Sequence, residues 1–163
     1  MTTAVFPGSF DPPTFGHLDI IKRASAIFDE LVVCVMSNGL KFGSLFSPAE
    51  RVKLLKIITK EIPNTRIECD CGLLVDYIKK FEKPIIIRGL RAVTDFEYEF
   101  QMSSVNKKFD PQLETMFMVA NNEYTFLSSS IVREFGKYRK KMTCLVPEAV
   151  EKAVFEKFSQ GEL

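Results

Sequence analysis

Five short strand-like runs, most of them apolar, alternate with amphipathic segments along this chain, and this alternation limits the fold more than any other feature. The runs lie at 4–6, 31–36, 65–69, 84–87 and 114–119. A run that is apolar throughout and rich in β-branched residues, such as 31–36, is typical of a strand that is buried on both faces. The intervening segments, with apolar residues at every third or fourth position, predict helices. The sequence therefore predicts an α/β fold with a doubly wound, five-stranded parallel sheet and helices on both faces.

The predicted elements have recognisable boundaries. We expect the first helix over 18–28 and the third over 73–81, and the fourth strand over 84–87, directly before Arg88. Two serine or threonine residues, Ser47 and Thr94, are each followed three residues later by a glutamate, which predicts a capping box at the start of a helix.

Size and composition indicate one domain, 1–163, with enough chain for a sizeable core. Hydrophobic residues make up 46% and charged residues 26%, as in soluble globular proteins. The net charge of +1 gives no general electrostatic basis for binding nucleic acid or a membrane surface. No apolar run approaches the roughly 18 residues of a membrane span, and no secretory signal is visible. We therefore expect a cytoplasmic protein without nucleic-acid or membrane partners.

The four cysteines are expected to be reduced thiols. Cys34 lies within an apolar run, and a disulfide between the near neighbours Cys69 and Cys71 would be strained. No C-x-x-C motif occurs and the chain has one histidine, so we do not expect a Cys/His zinc site.

A loop rich in glycine and proline, 8–17, follows the first strand and leads into the first helix. It ends at His17, which could donate a ring N–H to a ligand. The free backbone N–H groups and the positive dipole end of a helix N-terminus favour phosphate at such a place. A loop of this kind is also often only a turn, and neither the P-loop nor the dinucleotide fingerprint occurs in the chain. On spacing alone, phosphate binding and a structural turn are equally supported.

Other polar loops follow strands too, and the carboxyl ends of parallel strands share the edge at which ligands bind. Arg88 and Arg91 follow the fourth strand and suit polyphosphate, although they could instead pair with the carboxylates of 95–99. The serines 128–130 open a helix and offer hydroxyl and N–H groups to phosphate, with simple N-capping as the alternative. Lys41 lies at the same edge and could hold an anion, although a lone surface lysine usually only faces solvent.

Three of these motifs resemble those of a known enzyme family. Thr14-Phe15-Gly16-His17 is similar to the T-x-G-H signature of the nucleotidyltransferase superfamily, whose members join a nucleoside triphosphate to a phosphate-bearing partner. This signature is only moderately specific. The run R-G-L-R-A-V-T-D-F-E-Y-E, at 88–99, is highly specific. Together with the serines 128–130, these motifs identify the chain, over nearly its whole length, as similar to the bacterial phosphopantetheine adenylyltransferase family.

The resemblance implies a Rossmann-like nucleotidyltransferase fold and adenylyl transfer from ATP to 4′-phosphopantetheine, which yields dephospho-coenzyme A and pyrophosphate. It also implies Mg²⁺, bound mainly through the ATP phosphates, a homohexamer, and feedback by coenzyme A. The acceptor phosphate is already anionic, so in-line attack on the α-phosphate needs alignment and charge stabilisation, with no general base and no covalent intermediate.

The resemblance also implies roles for particular residues of this chain. The catalytic positions are His17 and Lys41. The ATP-binding positions are Ser9, Phe10, His17, Gly89, Leu90, Arg91, Glu99, Tyr124, Thr125, Phe126, Leu127, Ser128, Ser129 and Ser130. The positions for phosphopantetheine are Ser9, Lys41, Leu74 and Arg88.

Three positions depart from the family pattern. Ser9 replaces a more common threonine but keeps the hydroxyl, and Phe15 replaces a common asparagine, which affects packing around the loop. Lys41 lies in a segment with fewer lysines and prolines than the family usually has.

Two alternative functions are kept open. Another nucleotidyltransferase, with nicotinate mononucleotide or a polyol phosphate as acceptor, would share the first loop but should lack the run at 88–99. A non-catalytic nucleotide-binding module would keep the phosphate loops but need no acceptor pocket.

Overall fold

A five-stranded parallel sheet forms the centre of the protein in the computed structural model, which describes residues 1–37, 43–159 and 161. The strands are β1 (Thr3–Gly8), β2 (Glu30–Met36), β3 (Thr65–Asp70), β4 (Ile85–Leu90) and β5 (Glu114–Val119). They lie in the order β3-β2-β1-β4-β5, and every neighbouring pair is parallel. This confirms the predicted doubly wound sheet. Because the strand order reverses between β1 and β4, the carboxyl ends of these two strands flank the crevice in which such folds bind ligands.

Helices connect the strands and cover both faces of the sheet. They are α1 (Phe15–Ser25), α2 (Pro48–Ile58), α3 (Leu74–Tyr77), α4 (Val93–Phe109), α5 (Ser129–Lys137) and α6 (Glu148–Ser159). Two 3₁₀ turns, Ile78–Lys80 and Asn122–Tyr124, follow α3 and β5. In the described part of the chain, no helix combines the length and the apolar character that crossing a membrane requires.

Alternate side chains of the strands enter two separate core clusters. On one face, Ala4 and Phe6 of β1 pack with Ile21 of α1. On the other face, Val5 packs with Tyr77 of α3. Each of these residues is at most 6% exposed, as expected for a parallel sheet that is covered on both sides. Cys34 is buried in the second cluster, and all four cysteines are free thiols.

The structure confirms the capping box predicted at Ser47 and contradicts the one predicted at Thr94. Ser47 caps α2, since its side chain accepts from the N–H of Glu50 and the Glu50 carboxylate accepts from the N–H of Ser47. The box predicted at Thr94 is wrong, because α4 begins at Val93 and its N-cap, Ala92, makes no side-chain capping bond.

A different side chain of the first turn of α4, that of Asp95, binds the residue before the N-cap. The Asp95 carboxylate, in the first turn of α4, accepts both the backbone N–H and the guanidinium of Arg91. This charge-assisted pair holds Arg91 against the first turn of α4.

Three predicted element boundaries are also corrected. Strand β4 continues through Leu90, because Arg88, Gly89 and Leu90 pair with 117–119 of β5. Arg88 and Gly89 therefore form the carboxyl end of the strand and do not belong to a following loop. The third predicted helix divides into α3 and a 3₁₀ turn, and the first helix begins at Phe15, where Thr14 caps it, and ends at Ser25.

A buried carboxylate, that of Asp11, joins the first loop to distant parts of the chain. Asp11 is 5% exposed and accepts the backbone N–H groups of Leu45 and Phe46, each at 2.9 Å. The Arg51 guanidinium, on a residue that is also 5% exposed, lies 3.5 Å from this carboxylate and donates to the carbonyl of Phe46 at 2.7 Å. Arg133 of α5 lies 3.7 Å from the carboxylate and donates to the Asp11 carbonyl. These contacts fix the loop against both α2 and α5.

Replacing Asp11 with asparagine is expected to destabilise the fold strongly. The Asp11→Asn variant leaves the buried Arg51 guanidinium without its counter-charge, and breaking a buried pair in this way costs about 3–5 kcal/mol. Urea unfolding followed by circular dichroism measures the free energy of unfolding. The control is Asp76→Asn, which breaks an exposed ion pair with Lys79 and should cost no more than about 1 kcal/mol. Equal losses in the two variants would contradict this account of Asp11.

Candidate functional site

A first cavity, of about 310 Å³, opens at the carboxyl ends of β1 and β4, where the strand order reverses. It is bounded by the first loop, the first turn of α1, the end of β4 and the starts of α4 and α5. The predicted site residues that line it are Ser9, Phe10, His17, Arg88, Gly89, Arg91, Glu99, Leu127, Ser128 and Ser129. The topology therefore brings together loops that the sequence assigned to one edge of the sheet.

The remaining predicted site residues lie elsewhere. Leu74 lines a second cavity, described below, and Lys41 lies outside the described residues. The predicted positions that are absent from the described lining of the first cavity are Leu90, Tyr124, Thr125, Phe126 and Ser130. Leu90 is buried, whereas Phe126 is exposed on the β5–α5 connection.

The ring of His17 is held by the residue that caps its helix. The Thr14 N–H donates to His17 Nδ1 at 3.0 Å, and Thr14 Oγ1 lies at the same distance from this nitrogen. Because Nδ1 accepts the backbone N–H, the neutral ring carries its proton on Nε2. In return, Thr14 Oγ1 accepts from the backbone N–H of His17. The cap therefore fixes both the tautomer and the orientation of the imidazole.

Burial, and secondarily the positive charge of Arg91, lower the pKa of His17 from 6.5 to about 4. The ring is therefore neutral around pH 7, and the Nε2–H is a hydrogen-bond donor without a formal charge.

The buried ring of Phe10 packs against the imidazole of His17. Its residue is 1% exposed, and its ring meets those of Phe6 and His17 edge to face, with centroids 5.4 and 5.0 Å apart. A Cβ atom at Gly8 would lie 2.9 Å from the Phe10 ring, so the glycine at this position allows the ring to lie directly under the loop. Because the ring is buried, Phe10 can meet a ligand mainly through its backbone.

The two arginines of the cavity are paired with acids, as the alternative interpretation of the sequence allowed. Arg88 forms a two-pronged pair with Glu99 and donates to the Pro7 carbonyl at 3.1 Å. Arg91 forms a similar pair with Asp95 and donates to the Leu127 carbonyl at 2.9 Å. Both guanidiniums still have N–H groups that these contacts do not use. The acids therefore orient the arginines while leaving them able to bind an anion.

Each of the three consecutive serines at the start of α5 has a structural partner. Ser128 caps the helix by accepting the N–H of Ile131 at 3.2 Å. Ser129 Oγ donates to the Pro12 carbonyl at 2.8 Å, and Ser130 Oγ accepts from Arg133 at 3.2 Å. The Ser129 hydroxyl holds the start of α5 against the first loop, and Ser128 and Ser129 line the cavity at the N-terminus of this helix, where backbone N–H groups lack helical partners.

A second cavity, of about 200 Å³, adjoins the first and is lined mainly by apolar residues. Arg88 and Glu99 line both cavities, so this ion pair lies at the junction. Leu74 lines this cavity together with a wall that α4 provides and that was not predicted from the sequence: Tyr98, Met102 and Asn106. The spacing of four residues between these three positions places them on one helical face and could have revealed them.

The acidic residues of the site do not form a metal cluster. In the described ranges, no group of three or more histidine, cysteine, aspartate or glutamate side chains is placed to hold a metal ion.

Sequence comparison matches this chain to a family model and to two named enzymes. A family model described as cytidylyltransferase-like matches residues 5–135. A phosphopantetheine adenylyltransferase from Caldanaerobacter subterraneus subsp. tengcongensis is 49% identical over 161 residues, which cover 99% of this chain and 100% of the relative. A phosphopantetheine adenylyltransferase from Dictyoglomus turgidum is 52% identical over 158 residues, which cover 97% and 98%.

A solved structure shares the fold. It comes from Vibrio parahaemolyticus and is assigned as a nicotinate-nucleotide adenylyltransferase candidate. It aligns with 100% of this chain and 98% of its own length, with a TM-score of 0.74 and 16% sequence identity. At this identity the likeness concerns the fold alone.

His17 should titrate near pH 4 in the free protein, well below the ordinary histidine value of 6.5. Long-range ¹H–¹⁵N NMR follows the ring directly, because the chain has one histidine, and should also show the proton on Nε2. Between pH 6.5 and 4 the unfolded chain binds a proton at this residue that the folded protein does not. The contribution of His17 to stability is therefore complete above pH 6.5 and is lost as the pH falls through about 4. A midpoint near 6.5, or a proton on Nδ1, would contradict this description of the site.

Proposed function

Because the chain belongs to the phosphopantetheine adenylyltransferase family, we infer that it transfers the adenylyl group of ATP to 4′-phosphopantetheine. The products are dephospho-coenzyme A and pyrophosphate. The observation that supports this function best is the pair of adjoining cavities that share the Arg88–Glu99 ion pair. Two substrates that must meet at a phosphate need two sites with a cation between them.

The shapes and linings of the cavities suggest which substrate each one holds. The first cavity combines helix N-termini, His17 and Arg91, which suit the triphosphate of ATP. The second cavity is mostly apolar with a few polar groups such as Asn106, which suits the pantetheine arm. The phosphate of phosphopantetheine would then lie near Arg88, and Leu74 would contact the arm.

The reaction we propose is a single in-line displacement. A phosphate oxygen of phosphopantetheine forms a bond to the α-phosphorus of ATP, while the bond from that phosphorus to the bridging oxygen of the β-phosphate breaks. The electron pair leaves with pyrophosphate. Since the attacking oxygen is already anionic, the chain has to align the two phosphates and stabilise the charge, and no residue has to act as a base.

His17 is proposed to stabilise the transition state. Its Nδ1 is held by Thr14, so its Nε2–H is the donor available to an oxygen of the α-phosphate. A donor that is fixed before the reaction needs no reorganisation as negative charge develops. Because the ring is neutral near pH 7, this role does not require that the histidine be protonated.

Other groups would hold the attacking and leaving phosphates. Lys41, which lies outside the described residues, is proposed to orient the attacking phosphate. Arg91 and the free N–H groups at the start of α5 would bind the leaving pyrophosphate. Mg²⁺ is proposed to bind mainly through ATP phosphate oxygens, as is usual for this ion, and would supply charge neutralisation there.

Assembly into a homohexamer is proposed from the exposed face of α4. None of the residues of α4, all of which the structure describes, is buried, although several are large and apolar. Val93 and Phe100, neither of which is in the described lining of the first or the second cavity, are 76% and 54% exposed. An apolar surface of this kind marks a contact with another molecule, and further copies of the chain would cover it. Light scattering should give about six times the chain mass of 18.6 kDa, and a monomeric mass would contradict the proposal.

Coenzyme A is proposed as a feedback ligand. It contains both the adenylyl group and the pantetheine arm, so it could occupy the two adjoining cavities together.

A cytoplasmic location is also proposed, in keeping with the free thiols, and separating cytosol from envelope fractions would test it.

Pyrophosphate release from the purified protein tests the proposed function. The protein is incubated with ATP and Mg²⁺ together with 4′-phosphopantetheine, nicotinate mononucleotide or glycerol 3-phosphate. We expect release with 4′-phosphopantetheine alone, and we expect coenzyme A to inhibit it. Release with a different acceptor would contradict the assignment of the second cavity. ATP binding without release under any condition would indicate a nucleotide-binding module.

A further inference from the structure

An aromatic contact joins the turn that carries His17 to the connection between β5 and α5. Phe15, the first residue of α1, stacks on Tyr124 with ring centroids 6.4 Å apart and an angle of 24° between the ring planes. Neither residue is among the described residues that line the first cavity. Both residues pack instead against the core cluster that contains Leu127 and Val132.

We propose that Phe15 is a positioning residue for ATP: its ring holds Tyr124, and with it the 120–128 segment, in register with His17. This inference rests on the proposed function, since it assigns the 120–128 segment to the nucleotide.

The 120–128 segment is held at both ends by polar contacts. At its start, Arg23 donates to the Val119 carbonyl at 2.8 Å, and Asn121 donates to the Asp19 carboxylate at 3.3 Å. At its end, Arg91 donates to the Leu127 carbonyl at 2.9 Å. Between these two ends, the aromatic contact with Phe15 holds Tyr124, the last residue of the 3₁₀ turn Asn122–Tyr124.

The first turn of α1 provides a firm base for this contact. The Phe15 N–H donates to the Leu145 carbonyl at 3.0 Å, which fixes the backbone at the start of the helix. A Cβ atom at Gly16 would lie 3.5 Å from Cβ of Tyr124 and 4.0 Å from Leu127, so the turn and the segment pack closely. Since His17 belongs to the same turn, the contact fixes Tyr124 relative to the catalytic imidazole, which Thr14 holds independently of Tyr124.

The segment contributes directly to the first cavity through Ala120 and Leu127. Tyr124 lies between these residues in the chain, and its carbonyl accepts the N–H of Leu127 at 3.0 Å. A shift of Tyr124 would therefore move the wall that we assign to ATP. The second cavity does not include this segment among its described lining residues. The effect should consequently appear for ATP and not for phosphopantetheine.

This contact depends on the aromatic ring at position 15. An asparagine, which is common there in the family that the chain resembles, has no aromatic face to stack on Tyr124. Aromatic pairs contribute beyond their buried area, and losing one should raise KM for ATP roughly 3- to 10-fold.

The test is a double-mutant cycle with Phe15→Leu, Tyr124→Leu and the double variant. Leucine keeps apolar volume at both positions while removing the rings. Each single variant should raise KM for ATP by roughly 3- to 10-fold, and the double variant should be no worse than either, because both changes remove one interaction. The kcat and the KM for phosphopantetheine should stay unchanged, and Phe15→Tyr should restore KM for ATP. The matched control is Phe135→Leu, at a phenylalanine of α5 that is 45% exposed, which should change none of these constants.

Failure of this inference is distinguishable from failure of the proposed function. If the unaltered protein forms no dephospho-coenzyme A, the proposed function is wrong. If it does, and KM for ATP is unchanged in the single variants or their effects are additive, the role of Phe15 is wrong. Should Phe15→Leu not fold, Phe15→Met decides, since it also removes the ring and must raise KM for ATP without changing KM for phosphopantetheine.

Discussion

The buried carboxylate of Asp11 is the interaction on which the geometry of the site depends most. A charge with so little access to water is stable only when hydrogen bonds and opposite charges compensate for the lost hydration. Asp11 obtains this from two backbone N–H groups at 45–46 and from the guanidiniums of Arg51 and Arg133. Each of these partners belongs to a different part of the chain from the first loop. Satisfying one charge therefore fixes the first loop, the start of α2 and the start of α5 relative to one another.

The side chains of the first cavity are held in place because Asp11 anchors the first loop and α5. With the first loop and α5 fixed, the Thr14 cap can set the tautomer of His17, and the serines at 128–129 can place the N-terminus of α5. The arginines are held in the same way, because the pairs with Glu99 and Asp95 orient them before any ligand arrives. A site that reacts two anions benefits from donors that are already in place, since little reorganisation is then needed as charge develops.

The sequence was sufficient for much of the fold and for the edge at which the site lies. The apolar runs are local signals, so the five strands could be predicted, and a parallel topology then places His17, Arg88 and the serines at one edge. The pairing of Arg88 with Glu99 could be considered only as one alternative. This pairing depends on where α4 lies against the sheet. Because α4 has no buried residues, its sequence shows no apolar stripe from which that orientation could be predicted.

Two other features could not be predicted from the sequence pattern. Asp11 is in a turn sequence before proline, and nothing nearby indicates that its partners are Arg51 and Arg133. The capping box predicted at Thr94 is wrong because α4 begins one residue earlier, at Val93, so Thr94 lies inside the first turn and is not the N-cap. The roles assigned to individual site residues stay predictions, among them that of Lys41.

The central claim is that a fixed, neutral His17 stabilises the transition state of adenylyl transfer. Its most direct test is the turnover of a His17→Ala variant, compared with its ATP affinity from calorimetry. The account predicts a loss of roughly 10²–10³ in kcat, as for the removal of one donor to a developing charge. The dissociation constant for ATP should change by no more than about 3-fold, since the donor acts mainly in the transition state. Turnover equal to that of the unaltered protein would remove His17 from the mechanism and contradict the account.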